Sequence, residues 1–241
     1  PKVAHSDHKN IDFSDIKGQH MARRAVEIAA AGGHNILLSG PPGAGKSMLA
    51  ERFPTILPPL SPEEALELSM IYSIAGLLPD GGLLKQRPFR DPHHSASRPA
   101  LVGGGHRAQP GELSLAHNGV LFLDEMPEFS RSTLEALRQP LESKKTVIAR
   151  ANAHITYPAD IQLIGAMNPC PCGYLTDPQK SCRKAPLCGA TYQQKLSGPL
   201  LDRMDIFVTV PAVSIKDLEQ LKPGESSAII KQRVLQARLS Q

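Results

Sequence analysis

The chain has 241 residues, of which 41% are hydrophobic and 21% charged, and its 27 Lys and Arg outweigh 23 Asp and Glu to give a formal net charge of +4. That is room for one sizeable α/β core with a small appendage, since a typical domain takes roughly 100 to 200 residues. There is no run of about 18 apolar residues to span a membrane and no apolar signal-peptide centre near Pro1, so no membrane role and a cytoplasmic location are expected. With 4% aromatics and no Trp, composition speaks against a base-stacking platform, leaving phosphate contacts as the mode for any nucleic acid.

Residues 1–12 are polar and read as a lead-in. Gly18 to Ala31 carries an apolar stripe of Ala22, Ala25, Val26, Ile28 and Ala29 and predicts a helix ended by Gly32-Gly33, followed by a strand from Asn35 to Ser39. Residues 40–47 then read Gly-Pro-Pro-Gly-Ala-Gly-Lys-Ser, a full G-x-x-x-x-G-K-S phosphate loop, with a helix-compatible stretch from Met48 to Arg52 behind it. Glycine at 40, 43 and 45 lets backbone N–H groups turn toward phosphates at a helix start, where the dipole favours anions. The expected nucleotide contacts are Gly40, Pro41, Pro42, Gly43, Ala44, Gly45, Lys46, Ser47 and Met48, with Lys46 on the β and γ phosphates and the Ser47 hydroxyl on Mg²⁺. A chance glycine-rich turn is the weaker alternative, because strand and helix flank the loop as it requires.

Ser61-Pro62-Glu63-Glu64 is a helix start with a capping box, and the helix should reach about Ala75. Residues 76–114, rich in Gly, Pro, His and Arg, predict a functional insertion. Val120–Leu123 and Ile161–Ala166 are buried parallel-strand candidates whose carboxyl ends carry Asp124-Glu125 and Asn168. Ser130 to Glu142 should be helical, Thr146 to Tyr157 a β-hairpin, Ile206–Val210 the last core strand, and residues 214–221 and 225–239 a helical appendage. The pattern is still helical where it stops at Gln241, which reads as a piece of a longer protein.

A phosphate loop that hydrolyses needs a metal ligand and a group that orients water. Asp124 suits the Mg²⁺ shell and Glu125 the attacking water, the alternative being a plain strand cap before Pro127. Asn168 is placed to hold that water or the γ-phosphate, although Asn before Pro also forms ordinary turns. Cys170, Cys172, Cys182 and Cys188 fall in one short window, which favours a structural Zn²⁺ over reduced thiols or disulfides. Lys180, Arg183 and Lys184 would offset the anionic centre. His93 and His94 are adjacent and cannot readily share one metal. Arg87, Arg90, Arg98, Arg107, Lys144, Lys145 and Arg150 could grip phosphates or simply form a solvated surface.

Asp15-Ile16-Lys17-Gly18-Gln19, the stretch Gly111 to Gly119 leading into Val120–Glu125, Ala166-Met167-Asn168-Pro169 and Leu200-Leu201-Asp202-Arg203-Met204-Asp205 together resemble the AAA+ ATPases of the magnesium-chelatase type, and within them the ComM/YifB group. The resemblance covers nearly the whole chain. It implies an αβα P-loop core over residues 13–211 with sheet order 5-1-4-3-2, a helical lid beginning at 212–241, and a ring, hexameric in that group, with ATP between subunits. It makes Asn168 the first sensor and Arg203 an arginine finger acting in the neighbouring site, rather than a surface Arg paired with Asp202 or Asp205. It sets Ile16, Gly18 and Gln19 near the adenine, and puts a second-sensor Arg beyond Gln241. The implied function is an ATP-driven DNA motor promoting branch migration in natural transformation. The alternatives are a chelatase motor that drives Mg²⁺ into a porphyrin and a non-hydrolysing nucleotide-dependent scaffold.

Overall fold

In the computed structural model the described residues are 11–79, 82–105, 108–150, 153–175, 182, 185–213 and 223–241. Residues 1–10 of the lead-in expected at 1–12, the hairpin tip at 151–152, the helix at 214–221 and Arg107, Lys180, Arg183 and Lys184 lie outside them, as does the side chain of Arg150.

The strands are β1 (Ile36–Ser39), β2 (Phe89–Arg90), β3 (Gly103–Gly104), β4 (Gln109–Pro110), β5 (Val120–Leu123), β6 (Lys145–Arg150), β7 (Ala153–Pro158), β8 (Gln162–Met167) and β9 (Ile206–Thr209). Five of them form one parallel sheet in the order β2-β5-β8-β1-β9. Counting only these five in chain order and reading from the far edge gives 5-1-4-3-2, the order the resemblance implies. The sequence shows why both faces of this sheet are covered. Along each inner strand successive side chains enter opposite cores. Ile36, Leu38, Val120, Phe122, Ile164 and Ala166 belong to one buried cluster, whereas Leu37, Leu121, Leu123, Leu163 and Met167 belong to the other.

The first cluster is closed by α1 (His20–Gly32) and α2 (Lys46–Ile56) through Val26, Ala29, Leu49 and Phe53. The helix Ser227–Leu239, expected to belong to the lid, packs on the same face: Ile230 and Val234 enter this cluster, and Arg238 donates to the Ala30 carbonyl at 2.7 and 2.9 Å. The capping box forms as expected at α3 (Pro62–Ile74), where Ser61 Oγ accepts from Glu64 N at 3.1 Å and Glu64 Oε2 from Ser61 N at 2.8 Å.

The segment 130–142, expected as one helix, is two: Arg131–Glu135 and Arg138–Ser143. Pro140 explains the break, since it has no N–H to donate and its ring would collide with the carbonyl of Ala136 four residues earlier. The insertion contributes more than a loop. It supplies the edge strand β2, a short helix Arg98–Val102 and the β3–β4 pair, and it meets the β6–β7 hairpin where Tyr157 Oη donates to the Ala108 carbonyl at 3.0 Å.

Candidate nucleotide site

The carboxyl ends of β1, β5 and β8 come together at one edge of the sheet, where a doubly wound fold leaves its crevice. Here residues 42–48, Asp124, Glu125, Met167 and Asn168 line a cavity of about 410 Å³. The loop fits tightly at its start: a Cβ on Gly40 would stand 2.1 Å from the Val210 carbonyl oxygen. It is open toward the cavity, because Gly43 and Gly45 have φ of +74° and +91° and a Cβ on either would meet nothing within 4 Å. Left-handed backbone of this kind turns N–H groups into a concavity that suits an anion.

Lys46 is 7% exposed, and its Nζ donates to the Gly40 carbonyl at 2.7 Å, the Pro41 carbonyl at 3.0 Å and Asn168 Oδ1 at 3.1 Å. Burial holds its ammonium below the usual lysine range, against the opposing pull of Asp124 and Glu125. Three neutral oxygens around a desolvated cation are a poor substitute for phosphate oxygens, so the side chain is poised for an anion. Ser47 Oγ donates to Asp124 Oδ2 at 2.8 Å, and Glu125 N donates to Asp124 Oδ1 at 2.8 Å. The two candidate Mg²⁺ ligands therefore already touch. Glu125 has φ of +48°, an uncommon and costly conformation for a residue with a Cβ, which sets its exposed carboxylate at the cavity wall.

Asp91, which was not singled out in the sequence, joins the site together with His94, which was weighed there only as a metal ligand. Asp91 follows the two-residue strand β2 and shares a second depression with His93, His94, Asp124 and Glu125. Although the residue as a whole is exposed, its carboxyl is pushed up to about 6, first by loss of hydration and then by the negative charges of Asp124 and Glu51. His94 Nδ1 lies 3.6 Å from Glu125 Oε2. The available signal was topological: a strand beside β5 must also end at the crevice, but two residues are too few for a visible period.

Ile16, Gly18 and Gln19 do not line the cavity. Ile16 is buried in the core, and Gln19 bridges the phosphate loop to the end of β9 by donating to the Ala44 carbonyl at 3.1 Å and the Pro211 carbonyl at 2.6 Å. Arg203 likewise does not line the cavity. It pairs with Glu142 rather than with Asp202 or Asp205, and its Nε is buried without a hydrogen-bond partner among the described residues. Its backbone is fixed by Asn35, whose Nδ2 donates to the Arg203 carbonyl at 2.8 Å while its Oδ1 accepts from Leu163 N at 2.8 Å.

Two arginines offered for phosphate contact are structural. Arg87 Nη2 donates to Glu64 Oε2 at 2.9 Å and Arg87 Nε to the Pro58 carbonyl at 2.7 Å. Arg90 forms a two-pronged pair with Glu112 at 2.6 and 2.8 Å. Both are mostly buried and cannot leave their partners without stranding a carboxylate. Lys144 is tied to Asp160 at 2.9 Å, whereas Lys145 and Arg98 are exposed.

The cysteines gather immediately beyond Asn168. The sulfurs of Cys170, Cys182 and Cys188 lie within 4.8 Å of one another, Cys172 Sγ is 3.2 Å from Cys170 Sγ, and none of the four is in a disulfide. The Cys188 thiol is pushed up to about 11 by loss of hydration and by Cys182 and Cys170 beside it. Three thiols at this separation are a donor set that suits a soft cation.

A family model described as magnesium chelatase, subunit ChlI, matches residues 12–218. YifB of Escherichia coli (strain K12) is 53% identical over 94% of this chain and 45% of its own length. Competence protein ComM of Haemophilus influenzae is 50% identical over 98% of this chain and 46% of its own length. The magnesium-chelatase 67 kDa subunit of Chlorobaculum parvum is 28% identical over 66% of this chain and 23% of that protein. The chain thus spans about half the length of the ComM and YifB relatives it matches. Among solved structures, NtrX of Brucella abortus in complex with ATP shares the fold at 20% identity and a TM-score of 0.51, over 80% of this chain and 36% of that one. No helix among the described residues is long and apolar enough to cross a membrane. On its match over residues 12–218 and its 50–53% identity to these relatives, the chain belongs to the ComM/YifB type of the magnesium-chelatase-like family.

Proposed function

We propose that this chain is the Mg²⁺-dependent ATPase unit of a ring-forming motor that acts on DNA. The observation that carries the reading is the convergence of Lys46, Ser47, Asp124, Glu125 and Asn168 on one cavity of about 410 Å³. Residues 43–47 would wrap the triphosphate with backbone N–H groups, and Lys46 would exchange its carbonyl contacts for the β and γ phosphates. Ser47 and Asp124 fit a Mg²⁺ ion, because a hydroxyl and a carboxylate oxygen already lie 2.8 Å apart beside the loop. When bound, that ion supplies charge neutralisation across the phosphates. Glu125 takes the proton of the attacking water, and Asn168 orients that water or the γ-phosphate.

Arg203 is not among the residues lining its own cavity and would serve a neighbouring subunit, where a guanidinium at the γ-phosphate is worth about 10³ to 10⁵ in rate. This is the physical case for a ring, and six subunits follow the family resemblance. The DNA substrate and a branch-migration role in transformation rest on the 50% identity to a competence protein. Exposed Lys145 and Arg98 at the hairpin and insertion are the phosphate contacts we assign to it. Residues 212–241 are read as the start of the lid. Ile16, Gly18 and Gln19 are read as flanking the adenine, and the four thiols as holding one structural Zn²⁺. A cytoplasmic location accords with a DNA substrate.

The test is ATP turnover by the intact protein, native and Glu125→Gln, with and without single-stranded or branched DNA. DNA-stimulated turnover that the substitution abolishes supports the proposal. Turnover equal in both proteins removes Glu125 from its role, and stimulation only by porphyrin-chelatase partners favours a chelatase motor.

A further inference from the structure

We infer that the cysteine knuckle is a mechanical support of the nucleotide site, so that a metal held by Cys170, Cys172, Cys182 and Cys188 sets how tightly the phosphate loop binds. This rests on the reading of the four thiols as a Zn²⁺ site. Sulfurs at about 2.3 Å from a tetrahedral zinc sit roughly 3.8 Å apart. Three of the thiols already lie within 4.8 Å of one another, so those three need only small movements to share an ion; exposed Cys172, 3.2 Å from Cys170 Sγ but outside that group, must swing in to close the site.

Two contacts join the knuckle to the site. Asn168, which receives the Lys46 ammonium at 3.1 Å, is separated from buried Cys170 by Pro169 alone. After Cys170 the chain turns, Gly173 N donating to the Cys170 carbonyl at 2.9 Å, and Gly173 faces Pro42 of the phosphate loop. A Cβ on Gly173 would stand 2.3 Å from Pro42 Cδ and 2.7 Å from Pro42 Cγ. The far side is also in contact, less tightly: Cys188 lies in the helix Leu187–Gln193, and a Cβ on Gly189 would stand 3.3 Å from the Pro169 carbonyl oxygen. The knuckle is therefore wedged between the loop and the residue that follows Asn168. Free thiols form only weak hydrogen bonds, whereas four metal–sulfur bonds would fix the wedge and with it both Pro42 and Asn168.

The experiment measures zinc per chain in the intact protein and its affinity for MgADP by calorimetry, before chelation, after chelation and after zinc is returned. We expect one zinc per chain, an affinity about tenfold weaker without it, and recovery on re-addition. Gly173→Ala should keep its zinc while losing a similar factor in affinity, with a lower unfolding temperature from the strain of a Cβ at φ +79°. Adding Pro42→Ala, which removes the two colliding carbons, should restore part of that loss relative to Pro42→Ala alone. Zinc that can be stripped with no change in affinity, together with Gly173→Ala binding like the native protein, overturns the coupling and leaves the metal reading intact. Protein that holds no zinc overturns the inference at its premise.

Discussion

Replacing Arg87 by Ala separates its structural role from contact with a nucleic acid. The guanidinium donates to Glu64 at 2.9 to 3.2 Å and to the carbonyls of Pro58, Pro59 and Asn118 at 2.7, 3.2 and 2.6 Å. These contacts tie the start of α3 to the loop that leads into β5. Removing one partner of a buried charge pair costs about 3–5 kcal/mol. Glu64 keeps 31% side-chain exposure against 11% for Arg87, so water can rehydrate the carboxylate, and a value of about 3 kcal/mol is expected after that discount. For a domain of this size each kcal/mol lowers the midpoint by about 2–4 °C, which predicts a fall of roughly 6–12 °C. Arg87→Lys should recover less than half of the loss, since an ammonium cannot reach the carboxylate and three carbonyls in one geometry. Urea and thermal unfolding of the three proteins, with DNA affinity on the folded samples, make the assay. A loss below about 1 kcal/mol, or weaker DNA binding at full stability, refutes the assignment.

Three further outcomes follow from the site. Arg203→Ala should slow ATP turnover by about 1,000-fold or more while nucleotide affinity changes by less than a few-fold. Its exposed pairing with Glu142 contributes only about 0–1 kcal/mol to folding. Rings mixed from Arg203→Ala and Lys46→Ala subunits should regain part of the activity, and mixtures no better than either parent would contradict action in trans. For Asp91 the folded carboxyl titrates near 6 against an ordinary 3.8, so the folded chain holds this proton more tightly than the unfolded chain. Stability is then lost as the pH rises from about 4 through 6. Asp91→Asn should be more stable than the native protein at pH 7.5, by about 1 kcal/mol once solvent screening of this exposed residue is allowed for, and equal to it below pH 4. Identical unfolding curves at both pH values would show that the carboxyl is not strained.

The inner strands and the phosphate loop were legible because their signals are dense, whereas the sheet order came only with the family resemblance. The apolar runs at 120–123 and 162–167 are buried on both faces, and Gly43, Gly45 and Lys46 form a spacing with one chemical use. The edge of the site was not legible. β2 has two residues, and the pairing that carries Asp91 to Asp124 is a tertiary fact. The arginines at 87 and 90 looked like a basic surface because sequence shows charge and not partners; Glu64 lies 23 residues from one and Glu112 lies 22 from the other. The break before Arg138 had a signal in Pro140, which the expectation of one helix over 130–142 left out. The cysteine window announced a cluster, but its position against Pro42 needed coordinates.

The central claim, that residues 40–47 hold a Mg²⁺-bound adenosine triphosphate anchored opposite by Asp124, is tested most directly by calorimetry on the intact protein. Native protein should bind MgATP with one site per chain, Lys46→Ala should weaken that binding by at least about 100-fold, and Asp124→Asn should remove the dependence on Mg²⁺. Folded native protein that takes up no MgATP, or a Lys46→Ala variant that binds it like the native protein, would contradict the account.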